Sequence, residues 1–93
     1  MNVQVDHAGG DDYVVRIGDR TRHTVTTPAA ALRRLQPDGA TETPEQAVER
    51  VVRYLLDREP PESIMSRFTL DDVARFFPSF WSDMASTSRH GGR

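Results

Sequence analysis

Residues 43–56 constrain the fold more than any other stretch of the chain. Thr43, Pro44 and Gln46 supply a capping threonine, a proline at the first helical position and a glutamine three residues on, the signature of a capping box. Val48, Val51, Val52 and Leu55 follow at i, i+3, i+4 and i+7, with Ala47, Tyr54 and Leu56 on the flanks. Glu49 and Arg53 form a well-oriented i,i+4 pair on the wet side. Pro60-Pro61 closes the helix, because a proline disfavours helical backbone in the residue before it. A helix with one apolar stripe must bury it against a second layer.

The second layer lies upstream. Val3 and Val5 alternate with Gln4 and Asp6, the period-two mark of a strand, and Ala8-Gly9-Gly10-Asp11 reads as a turn. Residues 13–17 and 22–26 are rich in β-formers, and Gly18-Asp19-Arg20 separates them as a three-residue hairpin loop. That loop length sets Tyr13, Val15 and Ile17 on one face with Val25, His23 and Thr21; a two-residue loop would move Val25 to the other face. Thr27 stands as an N-cap with Pro28 at the first helical position, opening a short helix through Leu32 and Leu35 that Pro37-Asp38-Gly39 breaks. Beyond Pro61, residues 62–67 are expected to make one or two helical turns carrying Ile64, Met65 and Phe68 inward. Thr69 caps a last helix whose apolar row is Leu70, Val73 and Phe77, and Pro78 stops it.

The expected fold class is therefore α+β: an N-terminal three-stranded antiparallel sheet, two main helices and a short helical C-terminal lobe. Ninety-three residues cannot divide their core between two domains. One domain is expected over residues 1–84, with a disordered polar tail over 85–93, where Ser, Thr, Gly and Arg leave nothing to bury.

The chain has no cysteine, hence no disulfide staple, thiol nucleophile or thiolate metal site. Its first residues show no basic and apolar leader, so the expected compartment is the cytoplasm. Every one of its twelve basic side chains is arginine, which a GC-rich coding sequence explains better than phosphate recognition does.

Catalysis needs convergent groups, and His7, His23 and His90 are scattered over a strand end, a strand and the tail, without an HExxH or a serine elbow. His23, on the inner face of the hairpin, reads as a buried neutral histidine bonded to backbone. Asp6, His7, Asp11 and Asp12 flank one turn but lack the spacing of a calcium loop or a zinc site. No enzyme activity, cofactor or metal is expected.

Charge is uneven along the chain. Residues 13–34 carry Arg16, Arg20, Arg22, Arg33 and Arg34 against Asp19 alone, whereas residues 35–83 hold ten carboxylates against five arginines. The basic hairpin makes Arg16, Arg20 and Arg22 candidate contacts for nucleic-acid phosphates. The net charge of −2 and the lack of interleaved aromatics weigh against that use. Residues 68–77 have the look of the first helix of a helix-turn-helix, but Pro78 and Phe80-Trp81 stand where a recognition helix must follow.

Phe76, Phe77, Phe80 and Trp81 crowd together in a chain with seven aromatics, and one small core does not easily hold all four. Phe76 lies about 100° around the helix from Phe77. At least one of Phe76, Phe80 and Trp81 is therefore expected to stay exposed and to anchor a homodimer or another protein partner.

Residues 43–81 contain Leu55-Leu56-Asp57-Arg58-Glu59-Pro60-Pro61-Glu62-Ser63-Ile64, then Phe68-Thr69-Leu70 and Phe77-Pro78. The segment resembles small uncharacterised bacterial proteins with a LLxREPxESI pattern followed by FxL and FP. The resemblance implies a complete protein of a recurring kind and no particular activity, cofactor or catalytic residue. The expected role is that of a non-enzymatic regulatory or accessory protein working through protein contacts, with nucleic-acid binding by the hairpin as the alternative and no role in a membrane.

Overall fold

The computed structural model describes residues 2–36 and 42–90, with the side chains of 86–90 outside the described set. The chain runs β1 (Val3–Gly9), β2 (Asp12–Ile17), β3 (Thr21–Thr26), α1 (Ala29–Leu35), α2 (Pro44–Leu56), a 3-10 turn (Pro61–Ser63), β4 (Arg67–Thr69), α3 (Leu70–Phe76) and α4 (Phe80–His90). It is an α+β fold.

The hairpin adopts the three-residue loop, with Ile17 opposite Thr21, Val15 opposite His23 and Tyr13 opposite Val25. Gly18 makes this possible at φ 55°, a left-handed backbone that side chains with a Cβ resist. β1 pairs antiparallel with β2, Val5 facing Val15. Val3, Tyr13, Val15, Ile17, His23 and Val25 are thereby buried on one face, while Gln4, Asp6, Arg16 and Arg22 remain exposed on the other.

The expected three-stranded sheet has a fourth strand. β4 pairs parallel with β3, Val25 beside Phe68, giving a mixed sheet of order β1-β2-β3-β4. The helical turns expected over 62–67 shrink to the 3-10 turn, because the N–H of Thr24 donates to the Ser66 carbonyl at 2.7 Å and draws the chain onto the sheet edge. Phe68 and Ile64 still point inward, but Met65 does not: it is 40% exposed.

Helix α2 forms as its capping box dictates, with Thr43 and Gln46 exchanging both bonds. Its stripe of Val48, Val51, Val52 and Leu55 is buried with Ala47 and Tyr54, and it packs against β1. Arg50 ties this helix to α1, donating to the Leu35 carbonyl at 2.8 Å and to Glu42. Helix α1 begins one residue later than expected. Thr27 spends its N–H on the Asp11 carbonyl, extending the sheet, so Pro28 becomes the N-cap. The break read at Pro37-Asp38-Gly39 lies outside the described residues.

Thr69 and Asp72 form a second capping box at the start of α3. Pro78 ends α3 as expected, yet the chain re-enters a helix at Phe80, and α4 carries helical backbone past residue 85, where the tail was placed. Phe80 and Met84 seat this helix in the single core that the sheet and α2 build.

Candidate functional site

The end of α2, the 3-10 turn, β4 and α3 line a small apolar groove of about 120 Å³. The prolines create it. With no helical continuation beyond Glu59, whose N–H still closes on the Leu55 carbonyl at 2.8 Å, the chain must turn away and return along β3. His23 then fixes the return, its Nδ1–H donating to the Met65 carbonyl at 2.7 Å while Nε2 meets the Thr21 hydroxyl at 2.8 Å. A carbonyl only accepts, so Nδ1 carries a proton and donates to Met65, and the Thr21 hydroxyl meets Nε2 on the other side of the ring.

Leu55, Ile64, Phe68 and Val73 form the buried floor of the groove. Its rim holds Met65, Phe77 and Phe76, the last 64% exposed. Met65 and Phe76 are the only exposed large hydrophobic residues among those described. Glu59 also lines the groove, half-buried, and among the described residues no cationic group lies within 4.0 Å of its carboxylate. An apolar trough with one unpaired carboxylate is equipped to receive an apolar side chain next to a positive one.

Of the three aromatics nominated from the sequence, the structure leaves only Phe76 on an open surface. Phe80 is 0% exposed, with its ring edge-on to Tyr54 at 5.3 Å and to Trp81 at 5.0 Å, so it belongs to the core and is corrected from candidate contact to core residue. The reason is that Pro78 does not end the helical region: α4 restarts at Phe80 and turns that ring inward. Trp81 is half-buried beneath the Arg34 guanidinium, 3.9 Å from the ring centroid. Tyr54 donates its phenolic proton to Asp83 at 2.8 Å and lies under Arg58 at 3.6 Å. Burial, and then the hydrogen bond to Asp83, push the Tyr54 phenol above its usual range.

The arginines of the hairpin do not act as one group. Arg20 turns to Glu62, its Nε–H donating at 2.7 Å, and the Glu62 carboxyl is held low by its own backbone N–H and then by Arg20. Arg16 lies 3.7 Å from Asp6, and Arg22 stands directly across from Arg16. The sequence reading missed Arg67, which β4 brings to the same open face beside Thr24. The polar, apolar, polar order of Arg67, Phe68 and Thr69 is the one sequence trace of this strand, and it is too short to mark one.

His7 and His23 stand on different strands with different partners. Both ring nitrogens of His23 are engaged by its structural partners, whereas His7 stacks on Tyr13 at 4.7 Å and meets the Gly10 carbonyl at 2.8 Å through Nε2. The His90 side chain lies outside the described residues. Among the described residues no three His, Asp or Glu side chains gather in a way that holds a metal, and no helix is long and apolar enough to cross a membrane.

No protein-family model matches the chain, and neither the curated proteins nor the solved structures contain a match to it.

Proposed function

We propose that this chain is a non-enzymatic accessory protein that works by docking a protein partner in the Met65–Phe76 groove. One observation carries the reading: among the described residues, the two large hydrophobic side chains that stay exposed both stand on the rim of one apolar trough, beside a carboxylate that no described cation meets. Exposing them costs the isolated chain apolar burial, and a partner that covers them recovers it. The fitting partner presents an apolar side chain flanked by arginine or lysine, the first for the trough and the second for Glu59.

The LLxREPxESI, FxL and FP pattern supports the same site. Leu55, Glu59, Ser63, Ile64, Phe68 and Phe77 all line the groove and all belong to that pattern. We propose that what this chain shares with the bacterial proteins it resembles is this docking trough. The test is affinity capture with the wild type alongside Met65→Ser/Phe76→Ser. A partner recovered by the wild type and lost by the folded double variant supports the proposal; identical recovery by both refutes it.

A second reading rests on the open sheet face, where Arg16, Arg22 and Arg67 share one side. It differs from the sequence expectation in losing Arg20 to Glu62 and gaining Arg67. Titration with labelled duplex and single-stranded nucleic acid at two salt concentrations decides it, since a phosphate-driven complex weakens steeply with salt.

A further inference from the structure

β1 is an edge strand, and its free side is unusually open to another strand. It is seven residues long, whereas the opposite edge, β4, has three and leads directly into α3. Natural edges are commonly blunted by lysine, proline, shortness or a bulge in mid-strand. β1 has no lysine, arginine or proline, its one irregularity falls at its end between His7 and Gly9, and its single carboxylate, Asp6, is drawn across the sheet toward Arg16.

The backbone bonding pattern shows which groups this edge offers. The N–H of Gly18 donates to the Asn2 carbonyl at 2.7 Å, which makes Asn2 and Gly18 a hydrogen-bonded pair at the start of the β1–β2 ladder. Such pairs alternate along an antiparallel ladder. Gln4 and Asp6 therefore spend their backbone groups on Arg16 and Val14, and the N–H and C=O groups of Val3, Val5 and His7 point outward. No described residue bonds to those outward groups.

We infer that β1 pairs antiparallel with β1 of a second copy, centred on Val5, so that two four-stranded sheets join into one. Val5 of each copy then exchanges two backbone hydrogen bonds with Val5 of the other, and each Val3–His7 pair exchanges two more. The registers centred one residue to either side do worse. Centring on Asp6 opposes two carboxylates, and centring on Gln4 leaves Asp6 and His7 facing residues beyond the start of the strand. With Val5 at the centre, Gln4 faces Asp6 of the second copy on the open side of the sheet, where an amide can donate to a carboxylate. On the helical side, Val5, which its own helix α2 leaves half-buried at the sheet edge, gains a second Val5 as its neighbour. The strand is complementary to itself in hydrogen bonding, charge and apolar contact. This inference is independent of the Met65–Phe76 groove, which lies at the other end of the strand order.

Sedimentation velocity of the full chain over a concentration series tests it, with three variants. The wild type sediments as a concentration-dependent dimer. Val5→Pro removes one outward N–H that the monomer does not use, a change edge strands tolerate, and sediments as a monomer with unchanged far-UV circular dichroism. Gln4→Glu, at an exposed position, sets like charges opposite each other twice and raises the dissociation constant about two- to thirtyfold, more at low salt. Phe76→Ser leaves the dimer intact. A wild type that remains monomeric overturns the inference. So does a dissociation constant unchanged by Gln4→Glu, or a dimer abolished by Phe76→Ser, and the Gln4 result stands even if Val5→Pro fails to fold.

Discussion

Phe76 and Phe80 stand four residues apart and carry the same side chain, yet their replacement has very different expected costs. Phe80 is fully buried, packed edge-on between Tyr54 and Trp81, and Phe80→Ala leaves a cavity that neighbouring helices close only in part. Such truncations cost about 3–5 kcal/mol. For a domain of this size the whole stability is on the order of 5–14 kcal/mol, so the variant forfeits about a fifth of it or more. At roughly 4–8 °C per kcal/mol, the melting temperature falls by about 12–40 °C. Phe76 is 64% exposed, so Phe76→Ser removes little buried surface and is expected to shift stability by no more than about 0.5 kcal/mol. Thermal melts followed by far-UV circular dichroism, with urea titrations at one temperature, measure both. Trp81 is the only tryptophan and touches Phe80, so Phe80→Ala also opens its fluorescence to quenchers while Phe76→Ser does not. Equal melting temperatures for the two variants, or a larger loss for Phe76→Ser, would refute the division into core ring and surface ring.

Val51→Asp places a charge with no partner in the middle of the α2 stripe and is expected to unfold the chain at ambient temperature; a soluble variant with an unchanged melt would show that the stripe is not core. Tyr54→Phe deletes the hydrogen bond to the partly exposed Asp83 and should cost about 1 kcal/mol at neutral pH by urea titration. The Tyr13 and Tyr54 phenols are both raised above the usual 10.0 by burial, so the stability they contribute is complete below that pH and is lost as pH climbs through their folded values. Alkaline melts should therefore steepen above about pH 10 in the wild type and less so in Tyr54→Phe; identical alkaline profiles would contradict the assignment. His23→Leu takes a donor from the Met65 carbonyl and should cost about 1–3 kcal/mol, with faster amide exchange in residues 61–69; slow exchange there would show that His23 does not hold the groove wall.

What was legible in the sequence was local. The hairpin register followed from one glycine-bearing loop and strict alternation. Helix α2 followed from its capping box, and α3 from Thr69 as its cap with two aspartates in the first turn, signals confined to four consecutive residues. β4 was missed because three residues carry little periodicity and its partner, β3, is some forty residues earlier in a parallel pairing. Helix α4 was missed because Pro78 and the Ser- and Thr-rich stretch after Trp81 read as an end, whereas Phe80 and Met84, one helical turn apart, secure it to the core. The exposure of a ring at Phe76 was readable from its angle on the helix. The groove beneath it was not, because its wall depends on the contact between His23 and the Met65 carbonyl across 42 residues of chain. Glu59 gave no sign of its position beyond standing before two prolines.

Photo-crosslinking inside cells, with a benzophenone amino acid placed singly at positions 76, 82 and 22, tests directly whether a protein docks in the groove. Position 76 lies on the groove rim, Ser82 is exposed on α4 away from the groove, and Arg22 lies on the open sheet face. A discrete protein adduct is expected from position 76, absent from position 82 and removed by Met65→Ser. No adduct at 76 above the level at 82, or adducts with nucleic acid from position 22 alone, would contradict it.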